Sequence, residues 1–464
     1  MVVATLADPL ALDPHRVTDF VGQEVVANVC DTLVRPRPGS GRPEPALASA
    51  WATPDQRVWT FTLRGGVLFQ DGAALDAEAV VANFEYLRRE LRFPARGRAV
   101  GPLVFELALE RPDATLLATL AQPRFSIESP RQLGGGSPVC TGPFRLESKR
   151  PGPLELRRWD GYWGEPPRLS AVRFLRFPDA DALVRGLAAG EADVSSGIAP
   201  RQAAALHQQP SLLLDSQTGL NLVYLALNLE RPPLGESRVR RAIARAVDRV
   251  SLVRLLGGHA AVAQGPLPPS VLGRDLQGRG LALDPQAARQ MLAAAGVRPG
   301  TPLVVSVSRQ PRPYLSEPLR VAARVRDDLV AVGFAATVRE LDWNDQVALT
   351  SRGDYDAALL GWHADTLEPD DFLSALLESD AVGTTNRSRF RSPEMDALLA
   401  RARGQPDTAA RLALYRQALQ LFQRDMPFVP LFHASVFTAH RREVQGLVIG
   451  PTGILRFDKA WKQR

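Results

Sequence analysis

The chain has 464 residues, of which 45% are hydrophobic and 23% are charged. This length exceeds that of a usual single domain, and the composition is that of a globular protein rather than a disordered or fibrous one. The 56 basic and 50 acidic residues give a formal net charge of +6, but the two signs are interspersed along the chain. Nucleic-acid-binding proteins usually concentrate their basic residues in a tail, helix or patch, so we expect no nucleic-acid partner.

The sequence has no apolar run long enough to span a bilayer as a helix, so no transmembrane segment is predicted. Residues 1–7 lack the basic start and the long apolar core of a signal peptide. This fits either a cytoplasmic protein or the mature form of an exported one.

Cys30 and Cys140 are the two cysteines of the chain. They show no CxxC spacing and no nearby histidine cluster, so we expect neither a metal site nor a cofactor. Two buried free thiols are the expectation, and a disulfide is the open alternative. The motifs GxSxG, HExxH and GxxxxGK[ST] are missing, so we expect no enzyme, although a triad assembled by the fold is left open.

The predicted elements in the first half of the chain mix strands with helices. Trp59, Phe61 and Leu63 alternate with threonines, which predicts a half-buried strand. Asp76 is a candidate N-cap for a helix whose apolar residues over 79–87 repeat at helical spacing. Short strands and helices alternate in this way to about residue 218, which is typical of an α/β protein.

The second half continues the pattern. Residues 239–256 predict one helix with an apolar face and a solvent-exposed arginine face that includes Arg249. Further on we predict strands over 303–307 and 357–362, a helix over 319–332 that ends at Gly333, and a helix capped by Asp407. These are the parts of a layered α/β domain.

Five segments, in order along nearly the whole chain, together resemble one family, the extracellular solute-binding proteins of peptide and nickel ABC importers, known as family 5. The segments are Leu47 to Trp51 with Trp59 to Val80, Thr141-Gly142-Pro143-Phe144 with Gly161 to Gly164, Leu225 to Asn228 with Arg238 to Arg249, Gly361-Trp362 with Glu368-Pro369-Asp370, and Ser392 to Leu399 with Leu414-Tyr415.

This resemblance implies a two-lobed α/β fold of the periplasmic-binding-protein type, class II and similar to cluster C, with a hinge between the lobes. Lobe I would comprise 1–218 and 436–464, and lobe II, inserted into it, 219–435. The implied function is to capture a dipeptide or small oligopeptide between the lobes and deliver it to a membrane permease. The protein would act as a monomer in the periplasm, or otherwise outside the cytoplasmic membrane.

Within the family, the sequence most resembles the dipeptide-binding branch. That branch has an Arg-Pro-Tyr whose arginine meets a ligand carboxylate, here Arg312-Pro313-Tyr314. It also has a Gly-Trp-x-x-Asp whose aspartate meets the ligand ammonium, here Gly361-Trp362-His363-Ala364-Asp365. Both pairings suit these residue types. Arg312, Tyr314, Trp362, His363 and Asp365 are therefore candidate ligand-binding residues, with Trp362 open between pocket wall and core.

Three further candidates belong to the predicted lobe I. Asp19 and Phe20 lie where the dipeptide branch is small and polar, so ligand specificity is open. The segment that contains Arg124 resembles the nickel branch, in which an arginine of this region binds the ligand. A metal chelate, metallophore or glutathione-like peptide is therefore the second possible ligand class, and an unspecialised surface arginine is the alternative for Arg124. A peptidase is the competing enzyme hypothesis, but no motif supplies its nucleophile or metal.

Overall fold

Helices and strands alternate along the protein in the computed structural model, which describes residues 1–37, 40–148, 153–272, 276, 278–450 and 452–463. The predicted α/β class is confirmed. The chain divides into two compact units: unit 1 comprises 1–216 and 436–464, and unit 2 comprises 217–435. The lobes that the family resemblance implies, 1–218 with 436–464 and 219–435, stay a prediction. None of the helices in the described ranges has the length and apolar character needed to cross a membrane.

The helices in the described ranges are α1 (Phe20–Val29), α2 (Ala77–Leu91), α3 (Leu116–Leu120), α4 (Ala180–Ala189), α5 (Pro200–His207), α6 (Ser237–Ala246), α7 (Arg249–Leu255), α8 (Pro285–Ala294), α9 (Pro318–Ala331), α10 (Trp343–Arg352), α11 (Asp370–Leu377), α12 (Pro393–Arg403) and α13 (Thr408–Asp425). Short 3-10 helices cover Pro123–Phe125 and Ser379–Ala381.

The strands of unit 1 that precede unit 2 are β1 (Val2–Thr5), β2 (Val34–Pro36), β3 (Pro43–Pro45), β4 (Ala48–Ala52), β5 (Val58–Leu63), β6 (Ala95–Gly101), β7 (Val104–Leu109), β8 (Phe144–Ser148), β9 (Leu154–Arg158), β10 (Ala171–Arg176), β11 (Val194–Ile198) and β12 (Leu212–Thr218), the last of which ends just inside unit 2. The strands of unit 2 are β13 (Asn221–Leu227), β14 (Ala260–Val262), β15 (Thr301–Ser308), β16 (Phe334–Leu341), β17 (Ala357–His363) and the first part of β18 (Phe428–Arg441), which continues into unit 1. The last strands of unit 1 are β19 (Val444–Gln445), β20 (Val448–Ile449), β21 (Leu455–Arg456) and β22 (Trp461–Lys462).

One sheet of unit 1 is antiparallel, with the order β4-β5-β7-β6. Trp59, Phe61 and Leu63 of β5 are buried, as their alternation predicted. Asp76 caps α2, since its carboxylate accepts a hydrogen bond of 2.8 Å from the amide of Ala79. The core of this sheet is a cluster of buried residues that begins at Leu33 and ends at Ile127.

A disulfide joins Cys30 to Cys140, with Cα atoms 4.8 Å apart, so the expectation of two free thiols is wrong. Both cysteines are buried. The Gln70 side-chain amide donates hydrogen bonds to the carbonyls of Val29 at 3.2 Å and Gly142 at 3.3 Å, beside the two cysteines. The pairing was not evident from the sequence because these contacts join segments 110 residues apart.

The second sheet of unit 1 has the order β8-β9-β10-β1-β11, followed by the part of β18 that lies beyond residue 435. β1 runs parallel to both β10 and β11, and the other neighbours are antiparallel.

The sheet of unit 2 has the order β16-β15-β17-β13-β18, and β14 also pairs with β18. β15 runs parallel to β16 and β17, whereas β13 is antiparallel to β17 and β18. The predicted strands over 303–307 and 357–362, the helix over 319–332 and the Asp407-capped helix correspond to β15, β17, α9 and α13. β13 is buried along its whole length, so the core of unit 2 lies on both faces of this sheet.

The single helix predicted over 239–256 is two helices, α6 and α7. The chain turns at Asp248, whose carboxylate caps α7 by accepting a hydrogen bond of 3.0 Å from the Ser251 amide. The solvent-exposed arginine face is also wrong for Arg249, which is half-buried and donates to the carbonyl of Leu281. A strong capping residue outweighed the continuous apolar pattern.

Asn221 and His433 lie close to the places where the chain enters and leaves unit 2. The Asn221 side chain accepts a hydrogen bond of 2.7 Å from the Ala434 amide and donates one of 3.0 Å to the Ala434 carbonyl. Nδ1 of His433 donates to the Asn221 carbonyl at 2.7 Å. His433 is buried, and burial lowers its pKa to about 4. Its imidazole is therefore neutral, with the proton on Nδ1.

Candidate functional site

Two loops of unit 2 carry the motifs that the sequence singled out. Arg312-Pro313-Tyr314 follows β15, and Asp365 follows β17. The two strands are parallel neighbours, with Val305 opposite Ala357 and Ser306 opposite Ala358. Because parallel strands end at the same edge of a sheet, both loops leave the sheet of unit 2 at one edge.

Tyr314 brings the two motifs into contact. Its ring lies so close to Gly361 that a Cβ at that position would be 2.9 Å from the Tyr314 Cζ and closer still to Cδ2 and Cε2. Gly361 does not have a positive φ, so the glycine is required by this close approach rather than by backbone conformation. The structure therefore places the arginine-bearing loop directly against the end of β17.

Arg312 is half-buried, and its guanidinium lies over the indole of Trp343, with Cζ 3.5 Å from the ring centroid. Its Nε is buried and has no hydrogen-bond partner in the described ranges. Reciprocal backbone hydrogen bonds between Arg312 and Leu315, 3.0 Å and 2.9 Å long, close the turn that carries it. Burial raises the pKa of Tyr314, and the positive charge of Arg312 acts in the opposite direction.

Trp362 is half-buried and packs against the core of unit 2, while its Nε1 donates to the Asp371 carbonyl at 2.9 Å. The Asp371 carboxylate accepts hydrogen bonds from the amides of Asp365 and Thr366, each 2.9 Å long, and from the Thr366 hydroxyl at 3.1 Å. Burial and the nearby charge of Asp365 raise the pKa of Asp371 to about 6. Asp371 thus fixes both the Trp362 indole and the backbone of Asp365.

Asp365 itself is exposed, and no described residue donates a hydrogen bond or salt bridge to its carboxylate. His363, the last residue of β17, is also exposed, and it pairs with Asn221 across the sheet. Surrounding protein atoms lower the pKa of His363 despite this exposure, and Asp365 opposes the shift.

The three candidates of unit 1 have different surroundings. Asp19 is the N-cap of α1, where its carboxylate accepts from the amides of Gly22 at 2.8 Å and Leu10 at 3.1 Å. This capping role gives the acidic residue a structural explanation, and its ligand role stays a prediction. Phe20 is 38% exposed and lies beside Gly453.

Arg124 lies in the 3-10 helix Pro123–Phe125, which packs against α1. Its carbonyl accepts a hydrogen bond of 2.9 Å from Nδ1 of His15, but its half-buried guanidinium has no partner in the part of the chain that the structure describes. Ligand roles for Phe20 and Arg124 also stay predictions.

Two residues of this region were missed by reasoning from the sequence, Trp343 and Asp371. Asp371 lies six residues after Asp365 in an acidic run, which was a weak signal. Trp343 is the first residue of α10, two residues after the end of β16. It had no signal of its own in the sequence, because its proximity to Arg312 depends on the order of strands in the sheet.

The arrangement in unit 2 can bind a ligand that carries opposite charges. A guanidinium without an internal acceptor can hold a carboxylate by two parallel hydrogen bonds, and an exposed carboxylate can accept from an ammonium group. Among the described residues, no group of three or more His, Cys, Asp or Glu side chains is placed to hold a metal ion.

The sequence model of the bacterial extracellular solute-binding proteins, family 5 (middle region), matches residues 42–384, and the chain belongs to this family, as predicted. Di/tripeptide-binding protein 2 of Pseudomonas aeruginosa is 29% identical to it, over 99% of this chain and 94% of that protein.

Two solved structures support the same fold. The structure of HbpA2 from Haemophilus parasuis has a TM-score of 0.92 and 27% identity, and covers all of both chains. That of the periplasmic binding protein DppA from Helicobacter pylori, in complex with the peptide STSA, has a TM-score of 0.82 and 26% identity, over 100% of this chain and 98% of that one.

Proposed function

We propose that the protein is the solute-binding component of an ABC importer, and that its ligand is a dipeptide or small oligopeptide with free ends. The contact of Tyr314 with Gly361 carries this proposal. It places the loop of Arg312 against the end of β17, and Asp365 follows that strand at the same edge of the sheet. Neither charge is neutralised by a described residue. A zwitterionic peptide supplies the carboxylate and the ammonium that these two groups would pair with.

The proposed partner is a permease in the membrane, to which the protein would deliver its ligand as a monomer. The protein would work in the periplasm or otherwise outside the cytoplasmic membrane. The disulfide between Cys30 and Cys140 supports this location, since such bonds persist mainly in oxidising compartments. As a binding protein rather than an enzyme, it would return the peptide intact after prolonged incubation. Hydrolysis would favour a peptidase instead.

Isothermal titration with three probes tests the two ends separately: the dipeptide Ala-Leu, its N-acetyl form and its C-terminal amide. Arg312→Ala should weaken binding of Ala-Leu by about 2 to 5 kcal/mol, as truncation of one side of a desolvated charge pair does. Asp365 is more exposed, so Asp365→Asn should cost less, about 1 kcal/mol. Acetylation of the ligand's amino group should weaken binding to the wild type but have little effect on binding to Asp365→Asn. Amidation of its carboxylate should weaken binding to the wild type but have little effect on binding to Arg312→Ala.

If both variants bind Ala-Leu as the wild type does, these residues lie outside the site. If the wild type itself binds no Ala-Leu, the peptide proposal fails. The second candidate function, capture of a metal chelate, is favoured by the unpaired guanidinium of Arg124. A nickel–citrate complex is a suitable probe, because it brings its own metal ligands and carries carboxylates. Binding of this complex that is lost in Arg124→Ala, without binding of Ala-Leu, would establish the second candidate.

A further inference from the structure

The guanidinium of Arg312 lies over the indole of Trp343. Its Cζ is 3.5 Å from the ring centroid. A guanidinium standing on edge would bring a nitrogen about 1.3 Å nearer to the ring, well inside van der Waals contact. Only a nearly parallel stack fits this distance, and it is the geometry in which the ring face attracts the cation.

This stack decides where Arg312 can donate hydrogen bonds. The ring covers one face of the guanidinium, and every N–H bond lies in the guanidinium plane, so donation is possible only along its edge. Nε is buried without an acceptor among the described residues, and none of these residues accepts from the terminal nitrogens. The edge therefore presents donors in a fixed fork rather than as a mobile point charge.

The two residues before Trp343, Leu341 and Asp342, are hydrogen-bonded to the loop that carries Arg312. Asp342 accepts hydrogen bonds from Arg309 at 3.0 Å and from Gln310 at 3.1 Å. The Arg309 amide also donates to the carbonyl of Leu341 at 2.8 Å. The start of α10 and the loop after β15 are thus tied together beside the stack, which holds the backbone of Trp343 next to the loop that carries Arg312.

We propose that Trp343 is a positioning residue, which orients the Arg312 guanidinium so that the site selects ligands with a free, planar carboxylate over their neutral amides. This inference rests on the proposed function and adds the residue that sets its selectivity. Trp343 would act through Arg312 without touching the ligand. A planar fork matches the two oxygens of a carboxylate, whereas an amide offers one acceptor and places an N–H group against the fork.

The test measures the ratio of the affinities for Ala-Leu and its C-terminal amide by isothermal titration. Trp343→Leu should lower this ratio about tenfold, mainly through weaker binding of the free acid. Trp343→Phe retains an aromatic face and should give an intermediate ratio. Trp461→Leu is the matched control, because Trp461 lies 5.6 Å from the Arg168 guanidinium in unit 1, and it should leave the ratio unchanged.

Arg312→Lys provides a second route that keeps Trp343 and the positive charge. A lysine ammonium cannot form the planar fork, so the ratio should again fall. An unchanged ratio in a folded Trp343→Leu or in Arg312→Lys overturns the role of Trp343. If Arg312→Ala leaves the ratio unchanged as well, Arg312 does not bind the carboxylate. If the wild type binds neither Ala-Leu nor its amide, the proposed function itself fails, so the two failures are distinguishable.

Discussion

Replacing Gly361 by alanine tests whether the Tyr314 ring joins the two motifs. The new Cβ would lie 2.9 Å from Cζ of Tyr314 and closer to two other ring atoms, so the ring must move. Overpacking of this kind costs about 1 to 3 kcal/mol. Alanine regains about 0.5 to 1 kcal/mol over glycine in a strand. We therefore expect a net change between about 0 and about 2.5 kcal/mol of lost free energy of unfolding, measured by urea denaturation.

A double-mutant cycle isolates the contact. In a Tyr314→Ala background the ring is gone, so Gly361→Ala should be neutral or slightly stabilising, which gives a coupling energy of about 1 to 3 kcal/mol. Gly197→Ala in β11 is the matched control, because the nearest atom to its Cβ is Ser195 Oγ at 3.7 Å, an ordinary contact. Additivity of the Gly361 and Tyr314 changes within about 0.5 kcal/mol would refute the reasoning.

Two further predictions concern stability. Replacing both Cys30 and Cys140 by alanine should lower the free energy of unfolding by about 4 to 5 kcal/mol, because the disulfide closes a loop of 110 residues in the unfolded chain; a variant as stable as the wild type in urea would contradict this. His433 has a pKa of about 4 when folded and near 6.5 when unfolded, so the unfolded chain binds the extra proton and stability falls as pH drops from 6.5 to 4. His433→Gln should remove on the order of 3 kcal/mol of that loss, and equal pH profiles would rule the effect out.

Most helices and strands could be predicted from the sequence, because the spacing of apolar residues and the capping residues that define them lie within a few residues of one another. The alternation of Trp59, Phe61 and Leu63 reports burial of one face of β5 directly. The break between α6 and α7 was missed because the apolar pattern continues across Asp248. Helical spacing of apolar residues does not show that Asp248 caps a new helix.

The candidate site was predictable only where its residues lie within motifs. Arg312 and Asp365 could be proposed from short sequences, and the order of β15 and β17 then explains why both face one edge. Trp343 could not be found in this way, because its contact with Arg312 arises from pairing between strands that are distant in sequence.

The buried guanidinium of Arg240, outside the candidate site, is a similar case. It donates to the carbonyls of Leu234 and Met426, and helical spacing alone did not predict that this arginine is buried and hydrogen-bonded to the backbone.

The bond between Cys30 and Cys140 has a consequence for how the chain can be cut. The β4-β5-β7-β6 sheet and its core cluster, from Leu33 to Ile127, lie wholly between the two cysteines. This part of unit 1 is therefore a closed covalent loop, whose two ends are joined by the disulfide. One proteolytic cleavage anywhere in 31–139 leaves both fragments attached, so the nicked protein keeps its full mass on a non-reducing gel and separates into two pieces only after reduction.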